Sequence, residues 1–100
     1  EKYGVAFATV PPRYKSTYFR HIWSNGYSAG YYAYLWTEAL ESDIYEWMKA
    51  HGGLTRENGD RLRTLILSRG NSDDLMTLFA SFTGRNQMDL SALLKARGLK

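Results

Sequence analysis

The chain has no cysteine. That excludes disulfides, thiolate metal sites and a cysteine nucleophile, and it leaves the compartment open. Histidine is scarce: His21 and His51 stand thirty positions apart in the 100 residues. A helical zinc site of the His-Glu-x-x-His kind needs two histidines four apart, so this stretch cannot hold one. No apolar run approaches the ~20 residues that a membrane span needs. Charge of one sign is never concentrated. Thirteen Lys and Arg against ten Asp and Glu leave a net charge of +3, and no basic run marks a nucleic-acid or membrane surface. Arg13, Lys15 and Arg20 are too few to carry such a role. Proline occurs only at Pro11 and Pro12. The opening Glu1-Lys2-Tyr3-Gly4 is neither an initiator methionine nor a signal peptide, and reads as a fragment or a processed chain.

What remains is enough for one domain or a piece of one. The hydrophobic fraction of 44% is ordinary, whereas 15% aromatic is high, and tyrosine supplies eight of the rings. Residues 1–15 read as an extended arm in which Val5, Phe7 and Val10 can form a short strand, halted by the two prolines. Residues 16–100 read as helical. Ser16 or Thr17 can cap a short helix through Trp23, and "SNGYSAG" is a loop. From Tyr31 to about His51 the helical period is clear, with Tyr32, Leu35, Trp36, Ala39, Leu40, Ile44, Trp47 and Met48 on the expected core stripe. Gly52-Gly53 ends it, and His51 suits the dipole of the last turn. Thr55 caps a second helix carrying Leu62, Leu65 and Ile66 toward Gly70. Ser72, ahead of Asp73 and Asp74, is the expected cap of a third, with Leu75, Met76, Phe79 and Phe82, stopping at Gly84. Asp89 caps a last short helix with Leu90, Leu93 and Leu94, closed by Gly98. The expected class is all-α, four to five helices with short glycine-capped loops.

The chemistry-bearing stretch is "HIWSNGYSAGYYAYLW", residues 21–36, which packs four Tyr, two Trp, two Gly and a His into sixteen positions. Phenols pack on one face and donate hydrogen bonds at the other end. Tyr32 falls on the core stripe. Tyr34 lies about 200° around the helix from it and must face something else. Tyr27 precedes Tyr34 by seven residues, so a loop that tightens into the helix can bring both hydroxyls into one space. Neutral phenols, protonated at pH 7, can hold an oxyanion developing on an attacked carbonyl; the plain alternative is a pair of surface tyrosines. His21 stands open between local packing and ligand contact. "NGYSAG" is no phosphate cradle, since no Lys-Ser/Thr follows. Gly26 and Gly30 instead let a backbone approach an extended peptide, or let the loop hinge. Ser24 and Ser28 have no acid in the same loop to complete a triad.

"PPRYKSTYFRHIWSNGYSAGYYAYLW" resembles the C-terminal region of the thimet oligopeptidase-like zinc peptidases, within which the bacterial peptidyl-dipeptidases are most similar. "GGLTRENGDRLRTLILSRGNSDDL" and "LLKARGL" look like that family's chain end. The resemblance implies a C-terminal fragment of a larger, mostly helical zincin-type catalytic domain. It further implies zinc held by ligands upstream, none in this chain. In the family, the residues matching His21, Tyr27 and Tyr34 contact substrate and stabilise the tetrahedral intermediate, and the loop containing Gly26 flexes as substrate enters. This chain has Asn25-Gly26 where many relatives have Gly-Gly. The implied activity is release of dipeptides from peptide C-termini, in the cytoplasm. The implied partners are a peptide substrate and the rest of the parent domain, with neither nucleic acid nor membrane. The isolated stretch is expected to be inactive and prone to self-association. The alternative is a stand-alone helical module that binds peptides or proteins without catalysis.

Overall fold

The computed structural model describes residues 6–100. Among them are four α-helices and no strand: α1 (Ala33–Ala50), α2 (Arg56–Leu65), α3 (Leu75–Thr83) and α4 (Leu90–Ala96). Short 3-10 turns precede α1 at Ser16–Tyr18, Arg20–Ile22 and Asn25–Tyr27.

Helix boundaries follow local chemistry. α1 ends where the Gly53 N–H reaches back to the Met48 carbonyl at 2.7 Å, with Gly52 at φ 96° and Gly53 at φ 87°. This left-handed reversal satisfies the last carbonyls, and only glycine enters it without strain. α2 starts at Thr55, whose hydroxyl accepts the Asn58 N–H at 3.2 Å. Asp89 caps α4 by accepting the Ser91 N–H at 2.9 Å.

Three expectations need correction. The cap of α3 is Asp74, not Ser72: its carboxylate accepts the Thr77 N–H at 2.9 Å, while the Ser72 N–H closes the preceding turn on the Arg69 carbonyl. A carboxylate at that position also matches the positive end of the helix dipole better than a hydroxyl. The short helix expected from Ser16 to Trp23 is split into two 3-10 turns at Phe19, whose ψ of 81° is not helical. Finally, Val5 lies outside the described residues, and Phe7 and Val10 belong to no strand. They close a turn, the Val10 N–H donating to the Phe7 carbonyl at 3.0 Å.

The core sits where α3 crosses the C-terminal half of α1 and α4 lies along α1. Phe79 and Phe82 are its fully buried rings, joined by Ala39, Leu40, Met48, Leu78, Ala92 and Leu93. Tyr32 is not part of it. The first turns of the core stripe are uncovered, with Tyr32 70% exposed and Leu35 and Trp36 also at the surface. The physical reason is reach: α3 and α4 cover α1 only from about Ala39 onward, so the stripe continues past the elements available to bury it.

Polar contacts lock this arrangement. Asp43, buried on α1, takes the Arg85 guanidinium at 2.6 Å and the Asp89 N–H at 2.7 Å, pinning the α3–α4 connection. Buried Asn58 donates to the His51 and Gly53 carbonyls at 2.9 and 2.8 Å, tying the start of α2 to the end of α1. Arg61 donates to the Phe82 and Ser81 carbonyls at the C-terminus of α3, where a cation meets the negative end of the dipole. His51 stacks on Trp47 with ring centroids 3.8 Å apart, closing the α1 end. With its C-terminal half held so, α1 projects its first two turns beyond the core, and the tyrosines ride on them.

Candidate oxyanion site

The 3-10 turn Asn25–Tyr27 and the bend that follows fold the loop back onto the start of α1. The bend runs through Ala29 at φ 58°, with the Gly30 N–H donating to the Tyr27 carbonyl at 3.0 Å. Left-handed backbone therefore falls on Ala29, at a cost of about 1–2 kcal/mol for a residue with a Cβ, and not on Gly26 or Gly30.

This bend brings the two expected hydroxyls together: Tyr34 Oη donates to Tyr27 Oη at 3.0 Å, and their ring centroids are 5.8 Å apart. Both remain reachable, Tyr27 41% and Tyr34 55% exposed. His21 stands in the turn Arg20–Ile22, exposed, its ring 6.1 Å from Tyr27. Gly26 lies exposed in the turn ahead of Tyr27, and a Cβ built there would meet nothing within 4 Å. Among the described residues, nothing in the packing requires glycine at that position.

In the sequence, Tyr31 is marked only as a residue opening the long helix. In the structure it is the centre of the cluster, with its ring 5.2 Å from His21, 5.8 Å from Tyr27, 5.4 Å from Tyr34 and 5.1 Å from Phe19. The signal was available: positions 27, 31 and 34 keep the i, i+4, i+7 period straight through the loop.

The hydrogen bond to Tyr27, with the neighbouring phenol's charge next in weight, raises the Tyr34 phenol above its ordinary value of 10.0. A phenol held in its neutral form can donate to a developing negative charge and cannot act as a base, and Tyr34 is so held. The nearest carboxylate along the helix, Glu38, is held below its ordinary range by the Arg97 guanidinium, with which it makes a two-pronged ion pair. Among the described residues no group of three or more His, Cys, Asp or Glu could hold a metal ion. The site thus offers donors and ring faces to a ligand, with no metal ligand set of its own. No described helix is long and apolar enough to cross a membrane.

The model of Peptidase family M3 matches residues 1–99, and the chain belongs to that family. Dipeptidyl carboxypeptidase of Salmonella typhimurium is 56% identical over 90 residues, which is 90% of this chain and 13% of that protein. Its Escherichia coli counterpart is 54% identical over the same share. Oligopeptidase A of Salmonella typhimurium is 43% identical over 82 residues, 82% of this chain and 12% of that protein. The chain therefore spans about an eighth of the length of the curated relatives it matches.

Proposed function

We propose that these residues form one wall of the substrate cleft in a longer zinc metallopeptidase that releases dipeptides from peptide C-termini. Tyr34 turns its one O–H from Tyr27 to the oxyanion as the scissile carbonyl becomes tetrahedral, and the Tyr34 oxygen then accepts from Tyr27. Tyr27 orients that hydroxyl and assists it, His21 hydrogen-bonds the substrate, and Gly26 lets the substrate backbone approach the loop. Zinc, held by ligands elsewhere in the longer protein, supplies the Lewis acid and the activated water when bound. The enzyme acts on peptides in the cytoplasm, and neither nucleic acid nor membrane takes part.

The observation that carries this reading is the exposed 3.0 Å contact between the Tyr34 hydroxyl on α1 and the Tyr27 hydroxyl on a loop whose glycine has open space beside it. A donor poised where charge develops is worth roughly 10²–10³ in kcat. In the longer enzyme, Tyr34→Phe is expected to lower kcat and kcat/KM together by about that factor, the signature of an interaction made only in the transition state. Tyr27→Phe is expected to have a smaller effect in the same direction. Dipeptide release followed by mass spectrometry gives both parameters, and a Tyr34→Phe enzyme within about twofold of the parent would overturn the assignment. The 100 residues alone, supplied with zinc, are expected to release no dipeptide.

A further inference from the structure

Phe19 stands two residues before His21, at the joint between two 3-10 turns. We propose that Phe19 is a positioning residue for the peptidase reaction: its ring, with Tyr31 beside it, sets the place of the His21 imidazole next to the paired hydroxyls. For its catalytic consequence this rests on the reading of His21 as a substrate contact; for the contact itself it rests on geometry alone.

Burial singles Phe19 out. Between residues 6 and 21 it is the one residue withdrawn from water, half-buried where its neighbours are exposed. The buried core begins only at Ala39, so that shelter is not core packing. Its ring neighbours are Tyr14 at 5.4 Å, His21 at 5.8 Å and Tyr31 at 5.1 Å. Tyr31 meets it edge to face at 86°, the arrangement that aromatic quadrupoles favour. Tyr31 is half-buried as well, whereas His21, Tyr27 and Tyr34 are exposed. The cluster therefore has two layers, with Phe19 and Tyr31 behind and the hydrogen-bonding side chains in front.

The front layer is held unevenly. Tyr27 and Tyr34 share a hydrogen bond of 3.0 Å, and both lie against Tyr31. Among the described residues no side-chain hydrogen bond fixes the imidazole; its neighbours are the rings of Phe19, Tyr27 and Tyr31. The Phe19 backbone serves the same end, because its carbonyl accepts the Ile22 N–H at 3.1 Å and closes the turn that carries His21. When Phe19 is lost, the phenols keep their own bond and the imidazole loses a wall. A hydrogen bond weakens steeply with distance and angle, so a shifted imidazole binds substrate less well.

The test uses a full-length family member carrying this segment. With isotope-labelled histidine incorporated, the Cε1–H resonance of His21 is assigned by its loss in His21→Gln. Ring currents from Phe19 and Tyr31 displace that resonance from its unfolded position. Phe19→Leu is expected to move it back toward the unfolded position, and Phe19→Tyr to hold it in place. An unmoved resonance in Phe19→Leu overturns the proposal. Dipeptide release reads the consequence. Phe19→Leu is expected to lower kcat/KM by roughly 3–10-fold in the parent and by less than about twofold in His21→Gln, because the two changes remove one contact. Phe19→Tyr, which keeps the ring, is expected to restore kcat/KM to within about twofold of the parent. A loss of equal size in both backgrounds would make Phe19 a support of the fold at large, and the proposal falls. Should Phe19→Leu fail to fold, Phe19→Met is read in the same way. An unchanged kcat/KM in His21→Gln would instead remove the substrate role of His21, and the resonance alone then decides for or against Phe19.

Discussion

At the scale of single residues, Tyr34 is the most informative. Its phenol is raised above 10.0, first by the hydrogen bond with Tyr27 and then by that neighbour's charge. The folded protein therefore favours the neutral form more than the unfolded chain does. The contribution to stability is fully present below the ordinary tyrosine value and is lost as pH climbs through the raised one. Two outcomes follow. A tyrosinate absorbance titration is expected to lose a step raised above 10.0 in Tyr34→Phe, and Tyr27→Phe is expected to bring that step back toward 10.0. An unchanged raised step in Tyr27→Phe would mean that the hydroxyl pair is not the cause. Gly26 tests the other half of the site. Because a Cβ there meets open space and the backbone φ is not left-handed, Gly26→Ala is expected to leave the melting temperature of the longer enzyme unchanged. It is also expected to raise KM several-fold with kcat preserved, since only a docked backbone would feel the methyl. An unchanged KM would remove Gly26 from the substrate path.

At the scale of elements, sequence signals and structure agree where the determinant is local. Gly52-Gly53, Thr55 and Asp89 mark helix ends because each acts within one turn of backbone, and the structure shows the corresponding hydrogen bonds. Signals failed where the determinant is distant. Nothing near Asp43 in the chain announces that it meets Arg85 and Asp89, because those partners are 42 and 46 positions away. Tyr32 lies on the apolar stripe and is nevertheless 70% exposed, because period tells which side of a helix is apolar and not what covers it. In the candidate site Tyr27, Tyr31 and Tyr34 share one i, i+4, i+7 period in the sequence, but that the period runs on through the loop depends on the bend at Ala29, which no turn motif encodes. The Asp43–Arg85–Asp89 clamp carries its own expectation. Arg85→Ala leaves a buried carboxylate short of its cation, which for fully buried pairs costs about 3–5 kcal/mol. Arg85 is half exposed and the Asp89 N–H remains, so about 2 kcal/mol is expected from urea denaturation followed by tryptophan fluorescence. Asp43→Ala is expected to cost a similar amount through the orphaned Asp89 N–H. The two losses should not add, because they remove the same contact. A loss under about 0.5 kcal/mol for Arg85→Ala would show the clamp to be ornamental.

At the scale of the whole molecule, the chain is two unlike parts. A compact 100-residue domain has a radius of gyration near 13 Å, whereas this one has 16.5 Å and extents of 45 × 33 × 22 Å. Among the described residues the buried side chains lie between Ala39 and Leu93, while the tyrosine-bearing turns ahead of α1 contact mainly one another through exposed and half-buried rings. Opening free energy tracks buried apolar contact and shielded backbone hydrogen bonds, so the two parts should open separately. In the 100-residue chain, amides of residues 14–32 are expected to exchange at close to unprotected rates while those of α3 around Phe79 and Phe82 are the slowest. In the longer enzyme, the same N-terminal amides should gain protection as the surrounding domain packs against them, and a bound peptide should slow them further. Mass-spectrometric hydrogen exchange on the two proteins measures this. If residues 14–32 exchange as slowly as α3 in the short chain, then the turns carry their own stability, and the hydroxyl pair is assembled without help from the rest of the enzyme.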